Sequence, residues 1–216
     1  MSTPKGNASS WFLKDAPKYE LADVIQGKCF AQEAIVPLAI IPHLFILPTF
    51  GIGGSLKNYS ETKLAEEPYV LQDLITELQK TYEHIILDLS PGLGRLERSA
   101  LIAVDEVITP MTPEVFSLDG LEIFINELNR FKKNLRSNVK HSRIVINSFD
   151  ERIRQHRDIY DAACKGTYTV YKIPVDPLFR KAQEASMPPQ LFKSHGKGLK
   201  PKTVEAIKAL DSAIWR

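Results

Sequence analysis

Asp88 is the residue in this chain whose setting most suits chemistry. It lies in His84–Gly94, HIILDLSPGLG, where Ile85-Ile86-Leu87 and Leu89 make an apolar run broken by one carboxylate. That run predicts a strand over Ile85–Leu89, buried on both faces, with Asp88 near its C-terminal end. Ser90-Pro91-Gly92-Leu93-Gly94 must then form a loop, because Pro91 has no N–H for a ladder and two glycines permit positive φ. Ligands of open α/β sheets bind outside the carboxyl ends of the strands, so a carboxylate followed by a glycine-bearing loop suits a hydrated Mg²⁺ beside a phosphate. An Asp that caps a helix starting near Arg95 accounts for the same residues.

A second stretch, Gly51-Ile52-Gly53-Gly54-Ser55-Leu56-Lys57, offers glycine amides, a hydroxyl and a lysine after a strand expected at Leu44–Leu47. Its spacing departs from a phosphate loop, since Lys57 precedes Asn58 and no helix pattern follows, so it reads as a surface loop. Cys29 and Cys164 stand far apart and outside any metal-ligand spacing; they read as ordinary buried thiols. Charge is divided unevenly along the chain. Residues 126–216 hold 19 Lys+Arg against 9 Asp+Glu, whereas residues 1–125 hold 9 against 17. A basic half suits an anionic partner such as nucleic acid, or else solvated helix faces.

The elements that must position these groups follow from hydrophobic period. Met1–Ser10 is polar and turn-like, with no strand of its own, and Leu21–Gln26 and Phe30–Ile35 read as short helices split by Gly27. Tyr69–Tyr82 has Val70, Leu71, Leu74, Ile75 and Leu78 at helical spacing and leads into the Asp88 strand. Helices are then expected at Leu96–Val104, Leu118–Leu135, Arg152–Cys164, Pro177–Ser186 and Thr203–Trp215, with strands at Glu106–Met111, Arg143–Ile146 and Tyr168–Ile173. Lys193–Lys202 reads as a basic loop. Alternation of strands and helices argues for a parallel sheet covered on both faces. A chain of 216 residues fits one domain, and the apolar stretch Ala34–Gly54 is too broken by prolines to span a membrane. Met1–Lys18 has no signal-peptide core, so a cytoplasmic location is expected.

Four stretches in order resemble the ParA family of partition ATPases, deviant P-loop proteins related to MinD. Gly6–Ser10, GNASS, is similar to the residues after that family's second-strand Asp-x-Asp-Pro-Gln motif, and HIILDLSPGLG resembles its Walker B strand and switch loop. Pro113–Gly120 matches its PEYFALEG pattern, and Val145–Asp150 with Ile173-Pro174 and Arg180–Gln183 completes the set. The resemblance implies an α/β, P-loop NTPase-like fold in a single ParA-like, CbiA-like domain over residues 1–216. It also implies that Asp88 holds Mg²⁺ through water, that Pro91, Gly92 and Gly94 sense the γ-phosphate of ATP, and that Asn147 and Pro174 flank the adenine. Nonspecific DNA, a ParB-like adaptor, and a homodimer or heterodimer with an intact homologue are the implied partners, in a nucleoid-associated protein.

The departures from the family matter as well. Its members carry a first strand with KGGxGKT, then a helix and a second strand; no such phosphate loop occurs in these 216 residues, and Met1–Lys5 stands where the family has Asp-Leu-Asp-Pro-Gln. The expectation is therefore a fold missing its first P-loop strand and helix, with ATP binding defective because Asp88 alone supplies neither cradle nor charge neutralisation. The alternative is a non-enzymatic regulator acting on an intact homologue, or an inert fragment. Val175-Asp176 also replaces the family's usual Arg-Asn. A membrane-surface role is disfavoured, since Thr203–Trp215 reads as a core-facing helix.

Overall fold

The computed structural model describes residues 7–13, 15–49, 54–90, 92–135 and 138–215. They fall into two compact units, residues 1–104 and 105–216. The first unit is mainly helical: α1 (Asn7–Phe12), α2 (Leu21–Ile25), α3 (Ala31–Ala34), α4 (Ser55–Thr62), α5 (Val70–Leu78) and α6 (Arg95–Ala103). Between α3 and α4, β1 (Val36–Pro37) pairs antiparallel with β2 (Phe45–Ile46). α5 buries Leu71, Ile75 and Leu78 along one stripe, as its i, i+4, i+7 spacing requires, and packs on α6, which buries Ser99, Ala100 and Leu101. Ser99 Oγ satisfies its own burial by donating to the Pro68 carbonyl at 2.8 Å.

Four expectations for this unit are corrected. Asn7–Ser10 belong to a helix rather than a turn, with Leu13 N–H donating to Ser9 O at 2.9 Å. The strand at Leu44–Leu47 is shortened to Phe45–Ile46, and its antiparallel partner makes it half of a hairpin rather than part of the parallel sheet. Ser55-Leu56-Lys57 open a helix, α4, where a surface loop is expected; its buried residues are only Leu56 and Tyr59, too few to give a helical stripe in sequence. Ile85–Leu89 joins no ladder among the described residues. Its apolar run has strand propensity, but a strand exists only where a neighbour accepts its N–H and C=O groups. Instead of burial on both faces, Ile85 and Leu87 are half-buried while Ile86 is 75% exposed.

The second unit carries the parallel sheet. Its elements are β3 (Glu106–Met111), α7 (Val115–Leu135), β4 (Lys140–Phe149), α8 (Arg154–Ala163), β5 (Thr169–Pro174), α9 (Leu178–Glu184) and α10 (Pro201–Ile214), with strand order β3-β4-β5. Register pairs Met111 with Ile146 and Val145 with Tyr171. β4 buries Ile144, Val145 and Ile146 in succession, so both of its faces are covered, as a central parallel strand needs. Ile144 and Ile146 lie in a core with Met111, Leu121, Phe149, Ile159 and Ala163, where α7 and α8 supply the covering side chains. Cys164 is exposed, one residue beyond the end of α8, and Cys29 is half-buried; neither is the buried thiol expected, because Cys164 falls past the buried stripe of Ile159 and Ala163.

Asp176 ties the end of this sheet to two helices. Its Oδ1 accepts from Leu178 N at 3.1 Å, and its Oδ2 accepts from Lys200 N at 2.9 Å and Thr203 Oγ1 at 3.0 Å. Burial pushes this carboxyl up, but the hydrogen bonds from Lys200, Leu178 and Thr203 outweigh burial and hold it below the usual carboxylate range. The stabilisation it contributes is complete above its unfolded value, about 3.9, and is lost as pH falls through the lower folded value. Asp176→Ala, which strands two N–H groups and a hydroxyl, should lower stability by about 2–4 kcal/mol. Urea unfolding at neutral pH measures that loss, and repeating it in acid should find the gap between the two proteins narrowing.

Candidate functional site

Asp88 is exposed, near the end of the unladdered segment, and the next helix is not capped by it. The N-cap of α6 is Gly94, with φ −65° and ψ −174°. Gly92 adopts φ +141°, a conformation open to glycine, while Pro91 lies outside the described residues, as do Gly51–Gly53 of the second loop. A carboxylate of the protein's own stands in the first turn of α6, where the helix dipole favours negative charge. Glu97, in the first turn, receives a hydrogen bond from Ser90 Oγ to Oε1 at 2.5 Å. Its Oε2 sits 2.7 Å from where a Cβ on Gly94 would be. A phosphate brought to this end would meet the Glu97 carboxylate as a like charge. Sequence reasoning passed over Glu97, although an acidic residue in the first turn of a helix is a start signal.

In the second unit, Asn147 and Pro174 reach the same end of the sheet. β4 and β5 slip register between Ile146 and Phe149, so that Phe149 faces Pro174, and Val175 N–H donates to Phe149 O at 3.0 Å. Asn147 is exposed; its Oδ1 accepts from Ser148 N at 2.9 Å, and Ser148 adopts φ +57°. Beyond them Arg152 forks onto Asp150 at 3.0 and 2.7 Å and its backbone N–H adds a third bond, which holds the Asp150 carboxyl well below the usual range. Asp88 and the Ser90–Gly94 loop belong to the first unit, and Asn147 and Pro174 to the second. Among the described residues, no group of three His, Cys, Asp or Glu side chains gathers as a metal site.

A different cluster stands out in the expected basic loop. Ser194 and Lys197 close a two-residue hairpin by reciprocal backbone bonds of 2.9 and 3.0 Å, with His195 at φ +51° and Gly196 at φ +77°. Positive φ at both central residues is the type I′ geometry that a following glycine favours. Lys181 Nζ reaches Ser194 Oγ at 3.4 Å, so α9 adds a cation to Lys193, Lys197 and Lys200, all exposed. Among the described residues Lys193 and Lys197 have no carboxylate at ion-pair distance, whereas Lys202 is 4.0 Å from Glu151.

A Borrelia burgdorferi plasmid partition protein bound to AMPPNP has the same fold, with a TM-score of 0.75 at 20% identity over 96% of this chain and 81% of that one. The chain thus has the α/β, parallel-sheet fold found in P-loop NTPase structures. In sequence it is 30% identical over 181 residues to an uncharacterized protein of Borreliella burgdorferi, covering 83% of this chain and 72% of that one. It is 25% identical over 157 residues to the chromosome-partitioning ATPase Soj of Treponema pallidum, covering 72% of this chain but 60% of Soj, less than two thirds of that protein's length. Residues 3–141 match the AAA-domain family, and the chain belongs to that family as a ParA-type member.

The two loop glycines should respond differently to a methyl group. Gly92→Ala, forced to φ +141°, is expected to lose about 1–2 kcal/mol. Gly94→Ala needs only the flexible end of Glu97 to move and should lose no more than about 1 kcal/mol. Thermal unfolding of both variants, with the shifts compared, checks the assigned backbone.

Proposed function

We propose that this chain is a ParA-like partition protein for plasmid or chromosome segregation, and that it grips DNA through phosphates without reading bases. The observation that carries this reading is the type I′ hairpin at Ser194–Lys197, which presents Lys193 and Lys197 beside Lys181, with exposed Lys200 following at the start of α10, within the basic half of the chain. Lysines carried on a stiff turn release condensed counterions when they meet a phosphate backbone, which gives affinity with little sequence preference. Soj, a relative, is named a chromosome-partitioning ATPase, and this supports a segregation role. A ParB-like adaptor and a homodimer or a heterodimer with an intact homologue are the partners, and the working place is the cytoplasm, on the nucleoid. No helix among the described residues is long and apolar enough to cross a membrane.

ATP and Mg²⁺ are the family's ligands, and AMPPNP is bound by the Borrelia partition protein. For this chain the reading is that residues 1–216, as a single ParA-like domain, bind ATP weakly or not at all. Asp88 alone would meet the metal, Asn147 and Pro174 would meet the base, and Glu97 in the first turn of α6 would oppose a phosphate there. The second reading, a non-enzymatic regulator of an intact homologue, rests on that same Glu97 placement. Fluorescence anisotropy with a labelled duplex of arbitrary sequence tests the DNA reading. Affinity should fall steeply with salt, and Lys193→Ala with Lys197→Ala and Lys200→Ala should weaken it at least about tenfold and lower the salt slope by roughly 2–3. An unchanged affinity in the triple variant would remove this surface as the DNA contact.

A further inference from the structure

We propose that Lys181, Ser194 and His195 form the seat for one phosphate of the DNA backbone, and that a proton on His195 sets how tightly the hairpin grips. The inference rests on the DNA reading above and names one contact, and its control, within that reading. Ser194 Oγ is shared by two neighbours: Lys181 Nζ reaches it from α9 at 3.4 Å, and His195 Nδ1 lies 3.3 Å from it. Lys181 and His195 are exposed, and Ser194 is half-buried. The backbone bonds that close the turn, Ser194 N to Lys197 O and Lys197 N to Ser194 O, hold the imidazole next to that hydroxyl.

The direction of these hydrogen bonds depends on the imidazole. An ammonium can only donate, so Ser194 Oγ accepts from Lys181 and keeps one hydrogen to give. With His195 neutral and Nδ1 bare, that hydrogen goes to Nδ1, and the run from Lys181 through Ser194 to His195 is spent within the protein. An imidazolium carries N–H on both nitrogens and can only donate. Taking a proton from solvent therefore reverses the Ser194–His195 bond and frees the hydroxyl hydrogen for an outside acceptor. Ammonium, hydroxyl and imidazolium then offer charge-assisted donors to one anion. The charged groups about the seat are Lys181 from α9 and Lys193 and Lys197 from the hairpin, with Lys200 at the start of α10. Among the described residues no carboxylate stands at ion-pair distance from Lys181, because Glu184 of the same helix pairs with Arg180, and Asp176 is bonded to Leu178, Lys200 and Thr203. Phosphodiesters stay ionised wherever imidazoles titrate, so the proton and the phosphate attract one another and each should favour the other's binding.

Fluorescence anisotropy of the full chain with a labelled duplex of arbitrary sequence, at about pH 8 and about pH 6, tests the seat. Wild type should bind at least about fivefold tighter in the more acid buffer, and its logarithmic salt slope should steepen by about 0.9, the signature of one more phosphate neutralised. In His195→Asn, whose side chain tolerates the positive φ of the turn, affinities at the two pH values should agree within about twofold. Ser194→Ala, which removes the reversing hydroxyl but not the charge, should keep the change of slope and gain less affinity than wild type. A wild type indifferent to pH, while the triple lysine variant still weakens binding, overturns the seat and leaves the DNA reading standing. A pH gain that survives in His195→Asn, or one undiminished in Ser194→Ala, also overturns it. If wild type fails to bind the duplex at either pH, or the triple lysine variant binds like wild type, the DNA reading fails and takes the seat with it.

Discussion

β4 is the constraint from which the second unit follows. Three successive buried residues, Ile144, Val145 and Ile146, allow no wet face, and a strand with no wet face must also have both edges paired. β3 and β5 fill those edges in parallel register, and parallel neighbours need crossovers, which α7 and α8 provide. At the carboxyl end of the sheet the ladder slips, Ser148 turns to positive φ, and Asp176 collects the amides that the chain leaves unpaired as it enters α9 and α10. The site residues Asn147 and Pro174 stand where they do because the central strand runs out there.

Where packing decides structure, the residues announce it. The stripes of α5 and α7, the strand Glu106–Met111 and the Arg143–Ile146 middle of β4 follow from apolar spacing, because burying those side chains is what chiefly stabilises each element, whereas the polar ends that extend β4 to Lys140–Phe149 do not. The ParA-type motifs are equally legible, since Pro113–Gly120 and Val145–Asp150 are local strings. Ile85–Leu89 marks the limit of such reading. Its propensity is that of a buried strand, but pairing is a property of two segments and cannot be read from one. Asp176 and Glu97 escape notice for a related reason: a single carboxylate in sequence carries no sign of the amides or hydroxyls that will surround it. The hairpin at Ser194–Lys197 does leave a trace in His195-Gly196, a glycine placed for a primed turn within a run of lysines.

Electrostatics separates the two candidate sites. At the start of α6 a carboxylate stands in the first turn: Glu97 accepts from the hydroxyl of Ser90 and lies close to Gly94, where it complements the helix dipole. At the hairpin the reverse holds, because cations project on a stiff turn and the carboxylate contact in that stretch belongs to Lys202. The first turn of α6 thus carries a carboxylate, whereas the hairpin carries exposed lysines. On the proposed reading, a phosphate-rich polymer meets the lysines of the second unit independently of any nucleotide in the first.

That independence is the central claim, and the measurement that meets it most directly is the affinity for a nonspecific duplex with and without Mg-ATP, at one fixed salt concentration. The account predicts the same dissociation constant in both conditions, within about twofold. A tightening of about tenfold or more on adding Mg-ATP would mean that the nucleotide binds and is coupled to DNA, and would contradict that independence.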